Sequence, residues 1–176
     1  LSTSICIDTD INNLRPAKKV CSLKNLVFSS GQGAPVAITK VEMNMLPTKD
    51  AGSNSEKKII PQFLIYIEDR GHGTVIKREA VKDFCVKSDT SHNNLNIIYV
   101  NGELSNKPLQ CQLDVEDKPN QRGHIKLNDR KDIIWCSLRE GIPATQDSFI
   151  SPLKITLSYG YSQSISANYF IQKTAR

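Results

Sequence analysis

The chain has 176 residues, 39% of them apolar and 23% charged, with a formal net charge of +5 at neutral pH. That length suits one domain around a single core, and the clustering of its apolar residues excludes a disordered chain. No run approaches the roughly 20 consecutive apolar residues of a membrane-spanning helix, and no block of like charge marks an acidic or basic interaction tail.

The chain opens on Leu1 with no cleavable leader in view. We therefore expect a processed chain whose targeting segment, and any membrane anchor, lay upstream. Residues 1–24 read as an N-terminal segment, because Cys6 and Cys21 bracket a polar stretch rich in Asn, Asp and Pro. A bridge closing a loop of that length contributes about 3 kcal/mol. Residues 25–176 read as the main domain. The run Asp8, Thr9, Asp10, Ile11, Asn12 alternates oxygen ligands as a calcium loop does. It lacks the sixth-position Gly and twelfth-position Glu of such loops, so no calcium is expected.

Gly31, Gln32 and Gly33 lead into Ala34-Pro35 and a strand, so they read as a tight turn rather than a phosphate cradle at a helix N-terminus. Val41, Met43 and Met45 alternate with Lys40, Glu42 and Asn44, the period of a strand with one buried face. A polar loop follows at 47–58. Phe63, Ile65 and Ile67 alternate with the equally apolar Leu64 and Tyr66, so this strand is apolar on both faces and reads as a central one. Asp69 to Gly73 is a turn. Residues 77–86 hold the single credible helical stretch, with Val81, Phe84 and Cys85 on one face.

Further strands are expected at Leu95, Ile97 and Tyr99, along Leu109, Cys111, Leu113 and Val115, at Ile125 and Leu127, and along Ile134, Cys136 and Leu138. Turns fall at Asn101-Gly102 and Lys118-Pro119-Asn120. The last segment holds Leu153, Ile155, Leu157, Tyr159 and Tyr161 on one face, and the same parity runs on through Ile165, Ala167, Tyr169 and Ile171. A straight strand of that length exceeds the usual 3–10 residues, so a hairpin or sheet-switching bend is expected within 160–164. Strands at near-regular spacing with turn chemistry between them predict an all-β fold: an Ig-like antiparallel β-sandwich of about nine strands with at most one short helix.

Five cysteines, with no Cys-x-x-Cys pair, exclude zinc-ribbon and thioredoxin-type motifs. Cys111 and Cys136 both lie on inward parities and are expected to bridge across the core; Cys6 and Cys21 are expected to bridge each other. Cys85 is then left over, either free and buried or paired beyond this chain. Two bridges imply an oxidising compartment, extracellular or at the cell surface. On the residues alone, the alternative is five reduced core thiols in a cytosolic protein.

His72, His92 and His124 each sit in a polar turn or strand start, and none has a partner at metal-ligand or catalytic spacing. No nucleophile elbow, P-loop or His-Glu-x-x-His sequence occurs. We expect no catalytic, cofactor-binding or metal-binding residues, and no enzyme. The basic neighbourhood of Arg122, His124, Lys126, Arg130 and Lys131 lacks the interleaved aromatics of a single-strand binder, so no nucleic-acid partner is expected.

Three stretches carry a likeness: SGQGAPVAITKVE at 30–42, FLIYIEDRGHGTV at 63–75 and PLKITLSYGYSQSIS at 152–166. With Cys111 and Cys136 they resemble archaeal cell-surface proteins, pilin-type or membrane-anchored precursors that carry an extracellular Ig-like β-domain. The apolar N-terminal helix of a pilin is not among these residues. The resemblance implies a non-enzymatic extracellular structural or assembly module, a pilus-like filament subunit that acts as a homo-oligomer or with an assembly partner. The alternative is an extracellular module that binds a glycan, an anionic polymer or a partner protein. The long apolar face of the last segment invites strand addition between subunits, with residues 1–7 as the added strand; otherwise both pair within one sandwich.

Overall fold

A computed structural model describes residues 1–9, 20–30, 32–48, 58–87, 91–112, 123–144 and 148–171. Gly31, Asp10 to Asn12, most of the polar 47–58 loop, Leu113, Val115, the turn at 118–120 and Arg122 lie outside the described residues.

The strands are β1 (Ser2–Asp8), β2 (Leu26–Val27), β3 (Val36–Pro47), β4 (Lys58–Asp69), β5 (Thr74–Ile76), β6 (Ile97–Leu104), β7 (Lys107–Pro108), β8 (Gln110–Gln112), β9 (His124–Lys126), β10 (Lys131–Ser137), β11 (Ile142–Pro143), β12 (Ser148–Ser158) and β13 (Gly160–Ser162). A 3-10 turn (Arg78–Ala80) leads into the one helix, α1 (Val81–Lys87). One antiparallel sheet runs β1-β12-β6-β7, with β9 also on β6; the other runs β2-β3-β4-β10-β8, with β11 also on β4. β13 and β5 make a small third pair. The chain is all-β, antiparallel and sandwich-like. Its strands outnumber the nine expected because several span two or three residues, too few to show a period in the sequence.

The core fills the space between the two sheets. Phe63, Ile65 and Ile67 from β4 and Ile134 and Cys136 from β10 meet Ile5 and Ile7 from β1, Ile98 and Val100 from β6, and Leu153 and Ile155 from β12. Each fully buried side chain of this size stabilises the fold by roughly 1.5–3 kcal/mol relative to exposure. β4 lies between β3 and β10, as its two-sided apolar pattern implies, with Ile60, Leu64 and Tyr66 half-buried on the outer face.

For residues 1–7 the structure has the second of the two alternatives, pairing within one sandwich, and two other expectations change in part. β1 pairs along its length with β12 of the same chain, from Ser2 opposite Lys154 to Asp8 opposite Ser148. The N-terminal residues are thus a strand of the sandwich itself, not a strand held in reserve for another subunit. Cys85 is free but exposed on α1, not buried. The bend near Gly160 is present, since the chain leaves β12 after Ser158 and pairs with β5 through β13. Beyond Ser162, however, no strand resumes up to residue 171. Alternating apolar residues supply a face, but a strand also needs a neighbour to bond with, and this segment has none among the described residues.

Candidate interaction surfaces

Both expected disulfides are formed, Cys6–Cys21 and Cys111–Cys136. The second differs in placement. Cys111 and Cys136 are directly opposite on the adjacent strands β8 and β10, with Cα atoms 3.9 Å apart. It therefore clamps one sheet rather than joining two. The first ties the coil before β2 to β1, beside β12, where the hydroxyl of buried Ser148 accepts from the Val20 amide at 2.8 Å. Two intramolecular disulfides point to an oxidising environment.

The turn after β4 is a lock for the end of the chain. Asp69 is 7% exposed. Its carboxylate accepts from the Gly71 amide at 3.0 Å and from Arg130 Nη2 at 3.1 Å, and Arg130 also donates to the Gly71 carbonyl. The Tyr161 hydroxyl accepts from the Gly73 amide at 2.5 Å. A Cβ on Gly71 would sit 2.0 Å from that hydroxyl oxygen, and one on Gly73 2.2 Å from the Ser162 carbonyl oxygen. Glycine is required at both positions because β13 packs directly on the turn. Replacing Asp69 with alanine orphans the Gly71 amide and removes the carboxylate partner of Arg130. The expected cost is about 1–3 kcal/mol, read as a lower urea midpoint; an unchanged midpoint would show that the lock adds nothing.

Next to this lock, the Tyr159 hydroxyl accepts from the Val36 amide at 3.3 Å. Burial pushes its phenol above the ordinary value of 10.0, and burial, helped by Glu79, does the same for Tyr99. Below pH about 10 both phenols are neutral in the folded and unfolded chain. Above it the unfolded chain releases these protons first, so stability falls as pH rises toward the folded-state values. Urea unfolding at about pH 9 and about pH 10.5 should show this loss, and Tyr159→Phe should lessen it. Equal slopes for both proteins would count against the assignment to Tyr159.

The outer face of the second sheet is unusually apolar. Ile133 and Trp135 of β10 stand opposite Tyr66 and Leu64 of β4, which in turn face Lys40 and Glu42 of β3. Trp135, the chain's only tryptophan, is 48% exposed. Lys40 and Glu42 form an ion pair, and the Lys40 ammonium lies 5.1 Å from the centre of the Tyr66 ring. Hydrogen bonding between the pair raises the Lys40 pKa and lowers that of Glu42. A groove of about 430 Å³ runs beside Tyr66, Ile133 and Lys131. A second groove, of about 490 Å³, is lined by Val100, Pro108 and Leu109 together with the polar groups of Tyr99, Asn101 and Gln110.

The histidines are not brought together. His72 and His92 are exposed, and His124 lies against the Tyr99 ring, centroids 5.5 Å apart. Among the described residues, no three His, Cys, Asp or Glu side chains converge on a metal position, and no helix is long and apolar enough to cross a membrane.

A bare apolar feature is the segment after β13. Ile165, Tyr169, Phe170 and Ile171 are 82–101% exposed. Residues 163–171 make no backbone hydrogen bond to any described residue. Sequence reading found the alternation of this segment but not its isolation. The outward aim of Trp135 was readable from the inward parity of Ile134 and Cys136 on either side.

The chain matches no known family, and neither a curated protein nor a solved structure is similar enough to serve as a relative.

Proposed function

We propose that this protein is a non-enzymatic extracellular structural or assembly module, a cell-surface subunit of the filament-forming kind that works as a homo-oligomer. The observation that carries the reading is the segment 163–171, which leaves Ile165, Tyr169, Phe170 and Ile171 82–101% exposed. Clustered bare apolar side chains on a folded chain mark interaction sites. Two disulfides suit such a chain to an oxidising exterior and let the sandwich persist there. The candidate side chains are hydrophobic contacts, amides and hydroxyls, which recognise surfaces, rather than a paired acid and base.

A second reading, a binding module for a glycan, rests on Trp135 beside Tyr66 on a flat sheet face, where a ring could stack on a sugar. Sedimentation velocity over a concentration series separates the two. Assembly requires species that grow with concentration. Glycan recognition requires a monomer whose Trp135 emission shifts on titration with oligosaccharides. A monomer with no emission shift contradicts both readings.

A further inference from the structure

The assembly reading leaves open what covers residues 163–171, and the hydrogen-bond pattern of β1 suggests an answer. Leu1 and Ile155 exchange both backbone hydrogen bonds, each 2.9 Å. In an antiparallel ladder such pairs recur at every second residue. Thr3, Ile5 and Ile7 therefore bond to β12, while Ser2, Ser4 and Cys6 turn their N–H and C=O groups to the other side. Ser4 lies opposite Pro152, which has no N–H to exchange. β1 ends its sheet, and no described residue bonds to the outward groups of residues 2–7.

Natural sheet edges are defended by lysine, proline, bulges or shortness. Ser2 to Ile7 has none of these: it reads Ser-Thr-Ser-Ile-Cys-Ile within a seven-residue strand. β3 offers less, since β2 covers Lys40 and Val41 and the Asn25 side chain takes the Met43 amide. Among the described residues the chain thus carries an open edge and, separately, a strand-patterned segment with no sheet.

We infer that residues 163–171 become a β-strand by adding to the β1 edge of a second copy of this chain, with Ile165, Tyr169 and Ile171 on one face of the added strand. Edge and donor are different surfaces, so each copy can give and receive at once. Such a heterologous contact propagates head to tail instead of closing as a symmetric dimer. The inference rests on the assembly reading and supplies its contact.

The test uses the full chain carrying Cys85→Ser, so that the exposed thiol cannot cross-link copies. The donor is disabled by Ile165→Lys, Tyr169→Lys and Ile171→Lys, all at exposed positions. The edge is disabled by Ser4→Pro, which removes an outward N–H without touching a bond to β12; Ser2→Pro serves if Ser4→Pro alters thermal melting. In sedimentation velocity the intact chain should form species beyond a dimer, and each disabled chain alone should stay monomeric. An equimolar mixture of the two should give a discrete dimer, because one copy retains only the donor and the other only the edge. Assembly that survives either set of substitutions, or a mixture that stays monomeric, would overturn strand addition while leaving the assembly reading in place. An intact chain that is monomeric at every concentration would overturn both.

Discussion

Removing the Cys111–Cys136 bridge by the paired substitution Cys111→Ala and Cys136→Ala should lower stability by about 3.5 kcal/mol. The figure follows from the 25-residue sequence separation of the two cysteines, which sets the chain entropy that the bridge removes from the unfolded state. Cys6–Cys21, with a separation of 15, should contribute about 3 kcal/mol on the same argument. For a chain of 176 residues, 3.5 kcal/mol corresponds to a fall in Tm of roughly 7–14 °C. Thermal unfolding of the paired variants against the oxidised protein reads this directly. Losing both bridges removes an amount comparable to the whole stability of an ordinary domain, so reduction should leave much of the chain unfolded near 37 °C. A reduced chain that melts with the oxidised one would show that the bridges are incidental.

Phe63→Ala should cost about 3–5 kcal/mol, the range for deleting a large buried ring and leaving its cavity. Phe63 is fully buried and sits in register between Met43 on β3 and Cys136 on β10. Its cavity would open at the centre of the second sheet, where three long or bonded strands meet and cannot easily collapse inward. Because Phe63 is opposite Cys136, its effect and that of the bridge should not add. Phe170→Ala is the matched control: the same deletion in a fully exposed ring should change the monomer's stability by less than about 0.5 kcal/mol. Urea unfolding of both variants decides the matter, and a loss under about 1 kcal/mol for Phe63→Ala would contradict the placement of the core.

The difference between Phe63 and Phe170 marks how far the sequence could be read. Period-two alternation assigns a face, and it placed Ile134 and Cys136 inward correctly; for Phe63 and Ile65 the equally apolar Leu64 and Tyr66 left the inward face undecided. It does not say which strands are neighbours. Cys111 and Cys136 share an inward parity whether they lie across the core or side by side on β8 and β10, and the structure has them side by side. Nor does alternation say whether a strand will find a partner: Leu153 to Tyr161 and Ile165 to Ile171 keep one parity, yet among the described residues only the first part is paired. The Asp69–Arg130 contact was beyond reach because it depends on the register of β4 against β10, where Lys131 opposes Glu68. Trp135 was legible, since a residue between two inward neighbours on a strand must face out.

The claim at the centre of this account is that residues 163–171 are unsatisfied in one chain and completed by another. Amide hydrogen exchange of the oxidised protein, measured from dilute monomer to concentrated solution, tests it at the atoms concerned. The account requires amides 163–171, together with those of Ser2, Ser4 and Cys6, to exchange rapidly when dilute and to gain protection together as concentration rises, while the β4 and β10 amides stay protected throughout. Amides of 163–171 that exchange at the free-chain rate at every concentration, or that are already protected in the monomer, would contradict it.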